Sequence, residues 1–287
     1  MTWKRITYRG TRKLSNGRLW PLTDDYAGDP FFVLGARGSG AGLLARLLGA
    51  HPRLFVAPPF PHLPEVVCDF RVRAYRDWPR LVRGVLDWFL WEREWKLLLE
   101  PHAAALGAAL QSEPGPRRSL ARVLESMVAA VAAAAGKSGR AWGEYSPGNV
   151  AMLGELLELF PRARLLHVLR DGVDVVAARM HTEKSPDLPL FAATWQKTAG
   201  IGHGAVAARA GQAVEVRFED LVTAPLRAIE PVCELLNVSL EPDLARELTL
   251  HADSVGRGRR ELRPDQLAWL QKLIGPDLKS LGYDAAL

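Results

Sequence analysis

The sequence is poor in the residues that build disulfide frameworks and metal sites. It contains two cysteines, Cys68 and Cys233, which by themselves form neither a disulfide scaffold nor a structural zinc site. Its seven histidines show no cluster with metal-ligand spacing. We therefore expect a fold held together by an apolar core, with a functional site that has no metal ion.

Long apolar segments are also scarce. The most apolar helical run, Met127–Ala135, is too short to span a bilayer. The first residues, Met1–Ile6, lack the apolar centre of a secretory signal. Apolar residues make up 48% of the chain and charged residues 24%, which is typical of a folded globular protein. We expect a cytoplasmic protein with no membrane span.

Lysine is scarce as well, and most of the positive charge is arginine. The chain has eight lysines and 29 arginines against 32 acidic residues, for a net charge of +5 and a pI near 9.4. Arginine makes fixed, bidentate contacts with phosphate and sulfate groups. The charge is mild for 287 residues, and no basic stripe with interleaved aromatic residues accompanies it. The composition favours an anionic small molecule over a nucleic acid.

Short apolar segments alternate with helical ones along the chain. Strands are expected at Phe31–Leu34, Arg164–Leu169 and Val214–Phe218. Such alternation is typical of a parallel sheet wrapped by helices, an α/β fold. Without a repeat or a low-complexity linker, we expect one domain over residues 1–287. The expected helices begin near 43, 173 and 264 or cover residues 118–135, 149–160, 191–210, 225–236 and 244–250, and a basic loop is expected at Gly256–Arg260.

Two further segments are expected to extend this sheet domain. Residues 1–30 are expected to form an N-terminal hairpin around the turn Ser15-Asn16-Gly17. Residues 64–135, approximately, are expected to form a helical insertion that acts as a lid. Its tryptophans either pack the core of that insertion or cover an aromatic or lipid-like substrate; they are Trp78, Trp88, Trp91 and Trp95.

A glycine-rich loop, Gly35–Gly42, follows the first expected strand and precedes a helix. Glycines let backbone N–H groups approach a phosphate, and the helix dipole adds positive charge there. A nucleotide-triphosphate loop needs Lys and then Ser or Thr after its last glycine, but Ala41 and Gly42 follow Gly40 here. The acidic residue of a dinucleotide site is also missing. By itself the loop is either an anion site or a structural turn.

Four segments follow one another along the chain, namely Phe31–Leu44 with His51-Pro52, Trp142–Asn149, Leu166–Val175 and Val216–Leu221, and Gly256-Arg257 and Leu281–Tyr283 come after them. The four segments resemble motifs of the sulfotransferase family, which transfers a sulfuryl group from 3′-phosphoadenosine 5′-phosphosulfate. The family motifs are a strand with G-x-P-[KR]-S-G-T-[TS]-L-L, then W-x-[ED]-K-[TS]-P-x-N, a strand with R-D-P-x-D-V, and a strand with [YF]-E-D-L. The last two segments also fit the end of the family pattern, so the resemblance spans about residues 31–283.

The resemblance implies a three-layer, P-loop-like fold and a set of donor-binding residues. Arg170 would bind the 3′-phosphate, and Arg257, helped by Arg259 or Arg260, would close over it. The glycine-rich loop would hold the 5′-phosphosulfate. Adenosine 3′,5′-bisphosphate would be the product, and no metal would be needed. The other positions carried over to donor binding are Arg37, Gly38, Ser39, Gly40, Ala41, Gly42, Ala178, Phe218 and Gly258.

Sulfuryl transfer needs a base for the attacking hydroxyl and a cation to neutralise the leaving oxygen. His62 and Glu65 are candidate bases by location, and Glu144 is a third candidate from the second motif. Arg37 is the candidate cation. The expected partner is a small-molecule acceptor, a natural product, sugar or lipid, with an apolar or aromatic character. A homodimer is left open.

The sequence departs from the family motifs at several positions. Gly38 stands where the family has a basic residue before Ser39, which displaces Arg37 by one position. The other departures are Ala41 and Gly42 in place of a hydroxyl pair, Tyr145 in place of lysine, and Ala178 in place of serine. Two alternatives stay open: a sulfotransferase with a remodelled loop, or a related fold that binds another anion, runs different chemistry or serves as a partner protein.

Overall fold

The computed structural model describes residues 19–60, 62–137, 139–241, 248–249 and 251–284. The chain divides into two compact units. The helical unit comprises residues 1–29, 60–139 and 154–161, and the sheet unit comprises residues 30–59, 140–153 and 162–287.

The sheet unit contains a five-stranded sheet in the order β2-β3-β1-β4-β5, with every pair of neighbours parallel. This topology confirms the predicted α/β fold with a short parallel sheet. The three predicted strands lie within one residue of β1, β4 and β5. The strands are β1 (Phe31–Leu34), β2 (Leu54–Ala57), β3 (Ala141–Tyr145), β4 (Arg164–Leu169) and β5 (Ala213–Arg217).

Two of these strands were not predicted from the sequence. β2 is only four residues long and runs directly into prolines, and β3 carries Trp142, Gly143 and Glu144 in place of an apolar run. The glycine is explained by its neighbour across the sheet. A Cβ atom at Gly143 would overlap the ring of Phe31, its partner on β1.

Helices cover most of the remaining described chain. Numbered in chain order, they are α1 (Ala41–Ala50), α2 (Leu63–Arg73), α3 (Trp78–Leu90), α4 (Arg93–Leu99), α5 (Ala103–Gln111), α6 (Leu120–Ala134), α7 (Leu153–Leu159), α8 (Gly172–Glu183), α9 (Leu188–Ala208), α10 (Phe218–Thr223), α11 (Pro225–Leu236), α12 (Arg257–Glu261) and α13 (Pro264–Ser280). Short 3₁₀ turns lie at Glu100–His102, Gly115–Arg117 and Ala252–Ser254. None of the described helices is long and apolar enough to cross a membrane.

The helices of the sheet unit pack on both faces of the sheet. Leu166 and Val168 of β4 belong to an apolar cluster with α1 and α11. His167 lies between them and therefore points to the other face, where its ring fills the space above Gly202 of α9. A second apolar cluster joins α8, α9 and α13. The result is the predicted arrangement of helix, sheet and helix layers.

The helical unit has an aromatic core of its own. Trp95 is fully buried and packs against Phe60 and Phe89, with ring centroids 5.7 and 5.0 Å away. Trp78 is also buried, and its indole N–H donates to the carbonyl of Leu110 at 2.7 Å. Two of the four tryptophans are therefore core residues. The residues between 64 and 135 are largely helical, and their role as a lid stays a prediction.

One expectation about local structure is wrong, and two others fall wholly or partly outside the described residues. The segment Gly256–Arg260 was expected to be a loop, but it begins a short helix, α12, because a long-range partner caps its first N–H groups. The hairpin turn at Ser15-Asn16-Gly17 lies outside the described residues, and residues 19–30 contain no strand. Most of the helix expected at 244–250 also lies outside the described residues.

Candidate active site

The glycine-rich loop joins β1 to α1 at the carboxyl edge of the sheet. Gly38 and Gly40 have φ angles of 88° and 94°, which glycine adopts without strain. Gly40 is the N-cap of α1 and provides no side-chain hydrogen bond, and a Cβ atom there would overlap the ring of Phe218. The first N–H groups of a helix have no partner inside it. The start of α1 thus presents N–H donors of the kind that bind anions.

Ser39 has an unusual position in this loop. Its side chain is only 1% exposed, yet its hydroxyl has no hydrogen-bond partner among the described residues. Its backbone N–H donates to the carbonyl of Ala36 at 2.9 Å, which fixes the turn. Because buried polar groups are nearly always paired, an unpaired hydroxyl beside uncapped N–H groups indicates a site for an oxygen-rich ligand.

Arg170 follows the last residue of β4 and connects two loops. Its guanidinium donates to the carbonyl of Gly38 at 3.0 Å and to the carbonyl of Ser254 at 2.8 Å. It lies 4.1 Å from the ring centroid of Phe218 and is 6% exposed. Burial lowers its pKa, although the charge of Asp174 opposes this effect. One donor, Nε, has no partner in the part of the chain that the structure describes.

Asp174, in the first turn of α8, organises the late basic segment. Its buried carboxylate accepts the N–H of Gly256 and the N–H of Gly258, each at 2.8 Å. Gly258 lies so close to the backbone of Val173 that a Cβ atom would come within 2.5 Å of the carbonyl oxygen. These contacts bring Gly258 next to the start of α8, close to Arg170 in the chain.

The arginines of α12 have partners within the protein. Arg259 pairs with Asp171 at 2.5 Å, and Arg257 pairs with Glu261 at 2.5 Å on the surface. Arg260 donates to two backbone carbonyls of the preceding segment. Arg259 is therefore held beside the start of α8. Arg257 lies at the beginning of the helix, where its side chain is half-exposed.

Arg37 lies on the outer side of the glycine-rich loop. Its side chain is 61% exposed, and Nε lies 3.9 Å from the carboxylate of Glu183. Arg179 donates to the same carboxylate at 3.0 Å. The Gly38 backbone rests over this part of α8, since a Cβ atom built there would be 3.4 Å from Arg179 Cγ and 3.7 Å from Ala178 Cβ. Two arginines thus flank the loop.

The second motif forms a buried network around Asn149. Glu144 is fully buried, and its carboxylate accepts a hydrogen bond from the Asn149 amide at 2.8 Å. The same amide donates to the carbonyl of Val33 on β1 at 3.3 Å, and the Ser146 hydroxyl donates to the Asn149 side-chain oxygen at 2.8 Å. Glu144 therefore helps to hold the Asn149 side chain against β1.

Tyr145 lies on the opposite side of β3 from Glu144, against the first turn of α1. The edge of its ring is 3.2 Å from the point where a Cβ atom of Gly42 would be. Burial raises the pKa of Tyr145, and the charge of Arg37 partly offsets that increase. The phenol therefore stays protonated at neutral pH.

In the helical unit, His62 and Glu92 form a close pair. His62 Nε2 lies 2.7 Å from the Glu92 carboxylate, and the imidazole rests 5.9 Å from the ring of Trp88. A groove of about 580 Å³ opens beside the pair, and Trp91, which is 86% exposed, forms part of its lining. Glu65 is exposed in the first turn of α2.

The described residues contain no group of three or more His, Cys, Asp or Glu side chains arranged to hold a metal ion. The two cysteines are free; Cys233 is buried and Cys68 is exposed. The candidate site is thus built from glycine backbone, a serine and arginines.

A model of the sulfotransferase family matches residues 30–242. The chain belongs to the sulfotransferase family. Similar solved structures include the sulfotransferase domain from the curacin biosynthetic pathway, with 18% identity, a TM-score of 0.59, and coverage of 89% of this chain and 98% of that domain. Another is the sulfotransferase domain of the Synechococcus PCC 7002 olefin synthase, with 17% identity, a TM-score of 0.60, and coverage of 92% and 98%. A search of curated protein sequences finds no match.

These comparisons confirm the resemblance and the P-loop-like α/β fold, and they make this protein a sulfotransferase enzyme. The sheet unit of the sulfotransferase brings together the glycine-rich loop, Arg170, Phe218, Gly258 and Arg259. The sequence did not single out Asp174 or Glu92 as contributors. The signal for Asp174 was present, because it occupies the second Asp of R-D-P-x-D-V. Nothing in the sequence pairs Glu92 with His62, thirty positions away.

Proposed function

We propose that this sulfotransferase moves a sulfuryl group from 3′-phosphoadenosine 5′-phosphosulfate to a hydroxyl group of a small-molecule acceptor. One observation carries the proposal: the buried, unpaired hydroxyl of Ser39 lies in a glycine loop beside the uncapped start of α1. Such a loop suits a ligand with many acceptor oxygens and no donors. The family as a whole uses this donor, which supports the same assignment.

Different residues of the sheet unit would bind the two ends of the donor. Ser39 and the N–H groups of Gly40, Ala41 and Gly42 would hold the 5′ end. Arg170 would hold the 3′-phosphate, since its Nε is free and its stacking on Phe218 fixes the plane of the guanidinium. When bound, the donor supplies the sulfuryl group and leaves as adenosine 3′,5′-bisphosphate. No metal is included in this assignment.

Two arginines near the loop are candidates for the cation that neutralises the leaving oxygen. Arg37 is exposed and only loosely paired with Glu183, so its guanidinium is available to a ligand at the loop. Arg179 lies closer to the loop backbone but already holds Glu183. We therefore assign the cation role to Arg37, displaced by one position from the family pattern. The methyl side chain of Ala178 leaves space beside the loop and has no group that could form a hydrogen bond with the donor.

His62 is the residue we propose as the base for the acceptor hydroxyl. Its pairing with Glu92 would orient the imidazole and stabilise the imidazolium that forms when it takes a proton. Glu65 lies in the same unit but forms no hydrogen bond or ion pair with another described side chain. Glu144 is fully buried. Of the three sequence candidates, His62 is thus the one whose surroundings suit proton transfer.

The groove beside His62 supports an acceptor with an apolar or aromatic face. Trp88 and the exposed Trp91 line it, together with Asp87 and Arg73 at its polar positions. A natural product, a sugar bearing an apolar group or a lipid would match this chemistry, and one of the similar structures comes from the curacin biosynthetic pathway. A cytoplasmic location and a homodimer stay predictions, the latter to be tested by light scattering after size exclusion.

Calorimetry with adenosine 3′,5′-bisphosphate tests the proposal. We expect micromolar binding by the wild type and none by Arg170→Ala. Arg170→Lys keeps the charge but loses the planar fork, so it should bind at least tenfold more weakly, as expected for about 1.5 kcal/mol. Arg263→Ala is the matched control, because Arg263 is exposed and paired only with its neighbour Asp265.

Failure of the wild type to bind the bisphosphate at millimolar concentration would refute the proposal. It would favour the alternative in which the sheet unit binds a different anion. Binding that is equally strong in Arg170→Ala would leave the donor in place but remove Arg170 from its site.

A further inference from the structure

We propose that Gly42 and Tyr145 act as one donor-binding pair, in which the Tyr145 hydroxyl donates a hydrogen bond to the 5′-phosphosulfate group at the glycine-rich loop. This inference rests on the proposed function. It assigns a specific role to two positions where the sequence departs from the family motifs.

The pairing of β1 with β3 determines the face of the sheet on which the Tyr145 side chain lies. In the parallel pairing of β1 and β3, Tyr145 lies opposite Val33. Residues that are paired across two strands project from the same face of a sheet. Val33 belongs to the apolar cluster that also contains Ala41 and Leu44 of α1. The ring of Tyr145 consequently lies under the first turn of α1, where the glycine-rich loop ends.

Gly42 is explained by the space that the Tyr145 ring needs. Its φ is not in the left-handed region, so the backbone does not require glycine there. Alanine would be the better helix former at this position. A Cβ atom at Gly42, however, would lie 3.2 Å from Cε1 and 3.8 Å from Cζ of Tyr145. The missing side chain therefore leaves room for the end of the ring that carries the hydroxyl.

The Tyr145 hydroxyl is available to a ligand. The side chain is only partly buried, and no hydrogen bond joins its hydroxyl to another described residue. Burial raises its pKa, so it stays a neutral donor and does not act as a base. The charge of Arg37 acts on it as well, which places a cation in the same neighbourhood.

The two departures from the family pattern compensate each other. The motifs that the chain resembles carry a lysine at position 145 and a hydroxyl residue at position 42. Here both donors are gone, and the residues that replace them are in contact. A tyrosine that reaches the loop across the space left by glycine restores one donor at the same place. The remodelled loop thus keeps a hydrogen bond to the 5′ end of the donor.

The test compares two nucleotides by calorimetry. Tyr145→Phe keeps the ring and removes only the hydroxyl, so the packing under α1 should be preserved. We expect adenosine 3′,5′-bisphosphate to bind the variant about tenfold more weakly or worse, because the lost hydrogen bond is to a charged group. Adenosine 3′-monophosphate, which has no 5′-phosphate, should bind both proteins equally. Tyr75→Phe, at an exposed tyrosine of the helical unit, is the matched control.

A second variant tests the pairing of the two residues. Gly42→Ala should weaken bisphosphate binding by pushing the ring aside, but it should have little further effect in the Tyr145→Phe background. Additive losses in the double variant would show that Gly42 acts independently of the hydroxyl and would overturn the pairing. Unchanged bisphosphate affinity in Tyr145→Phe would overturn the inference while leaving the proposed function intact. Absence of binding by the wild type would instead refute the proposed function.

Discussion

Removing the carboxylate of Asp174 should release α12 from the start of α8. This carboxylate is buried, accepts the N–H groups of Gly256 and Gly258 at 2.8 Å each, and lies 3.8 Å from the guanidinium of Arg170. A hydrogen bond to a charged group contributes about 1.5–3 kcal/mol. Asp174→Ala loses both bonds, so we expect the segment to be destabilised by about 3–6 kcal/mol. Asp174→Asn keeps one acceptor oxygen and should lose about half as much.

Hydrogen exchange measures this effect at the place where it arises. In Asp174→Ala the amides of residues 256–261 should exchange faster by two or more orders of magnitude, because each 1.4 kcal/mol of local stability changes the opening equilibrium about tenfold. The affinity for adenosine 3′,5′-bisphosphate should fall in parallel, since Ser254, whose carbonyl accepts a hydrogen bond from Arg170, lies two residues before this segment. Asp265→Asn is the control, because its carboxylate is exposed and pairs only with Arg263.

Two results would contradict this reasoning. If exchange in residues 256–261 is the same in Asp174→Ala and in the wild type, the two hydrogen bonds do not hold the helix. If exchange increases but bisphosphate affinity stays constant, the segment is anchored as described but does not contribute to donor binding. In that case Arg257 and Gly258 would not be donor-binding residues.

Three other substitutions give distinct results. Ser39→Ala should weaken bisphosphate binding without lowering the free energy of unfolding of the free protein in urea, because the buried hydroxyl has no partner to lose. His62→Ala should lower kcat by a factor of about 10²–10⁴, and Glu92→Gln by less, with bisphosphate affinity unchanged in both. Burial is the largest single influence on Glu215 and raises its pKa, but the hydrogen bonds and charges of His167 and His203 together lower the pKa below the usual 4.5. The wild type should therefore lose stability as the pH falls through that lowered pKa, and Glu215→Gln should not show this loss in acid unfolding.

The sequence predicts the parts of the sheet that are strongly apolar and misses the rest. β1 and β4 match the predicted bounds, and both are almost entirely buried; β1 is wholly apolar, and β4 is apolar except for Arg164 and His167. β3 could not be predicted in the same way, because Gly143 and Glu144 serve neighbours rather than a local pattern. The glycine makes room for Phe31, and the glutamate supports Asn149.

The candidate site shows the same division between local and long-range information. The glycine-rich loop and Arg170 could be placed from the sequence because each follows an apolar strand. The helix at Gly256 could not, because its cap, Asp174, is 82 positions earlier in the chain. The contact between Gly42 and Tyr145 was visible only as two separate departures from a motif. Their relationship depends on β1 and β3 being neighbours in the sheet.

The contacts of Arg170 show why this position needs arginine and not lysine. Its guanidinium donates to the carbonyl groups of Gly38 and Ser254, stacks on Phe218 and retains an unpaired Nε. A lysine ammonium carries its donors on a single atom and cannot span two loops while stacking on a ring. Arginine at this position therefore joins the glycine-rich loop to the segment that contains Ser254 before any ligand binds. Arg170 shows that arginine in this chain serves to join loops and not only to bind anions.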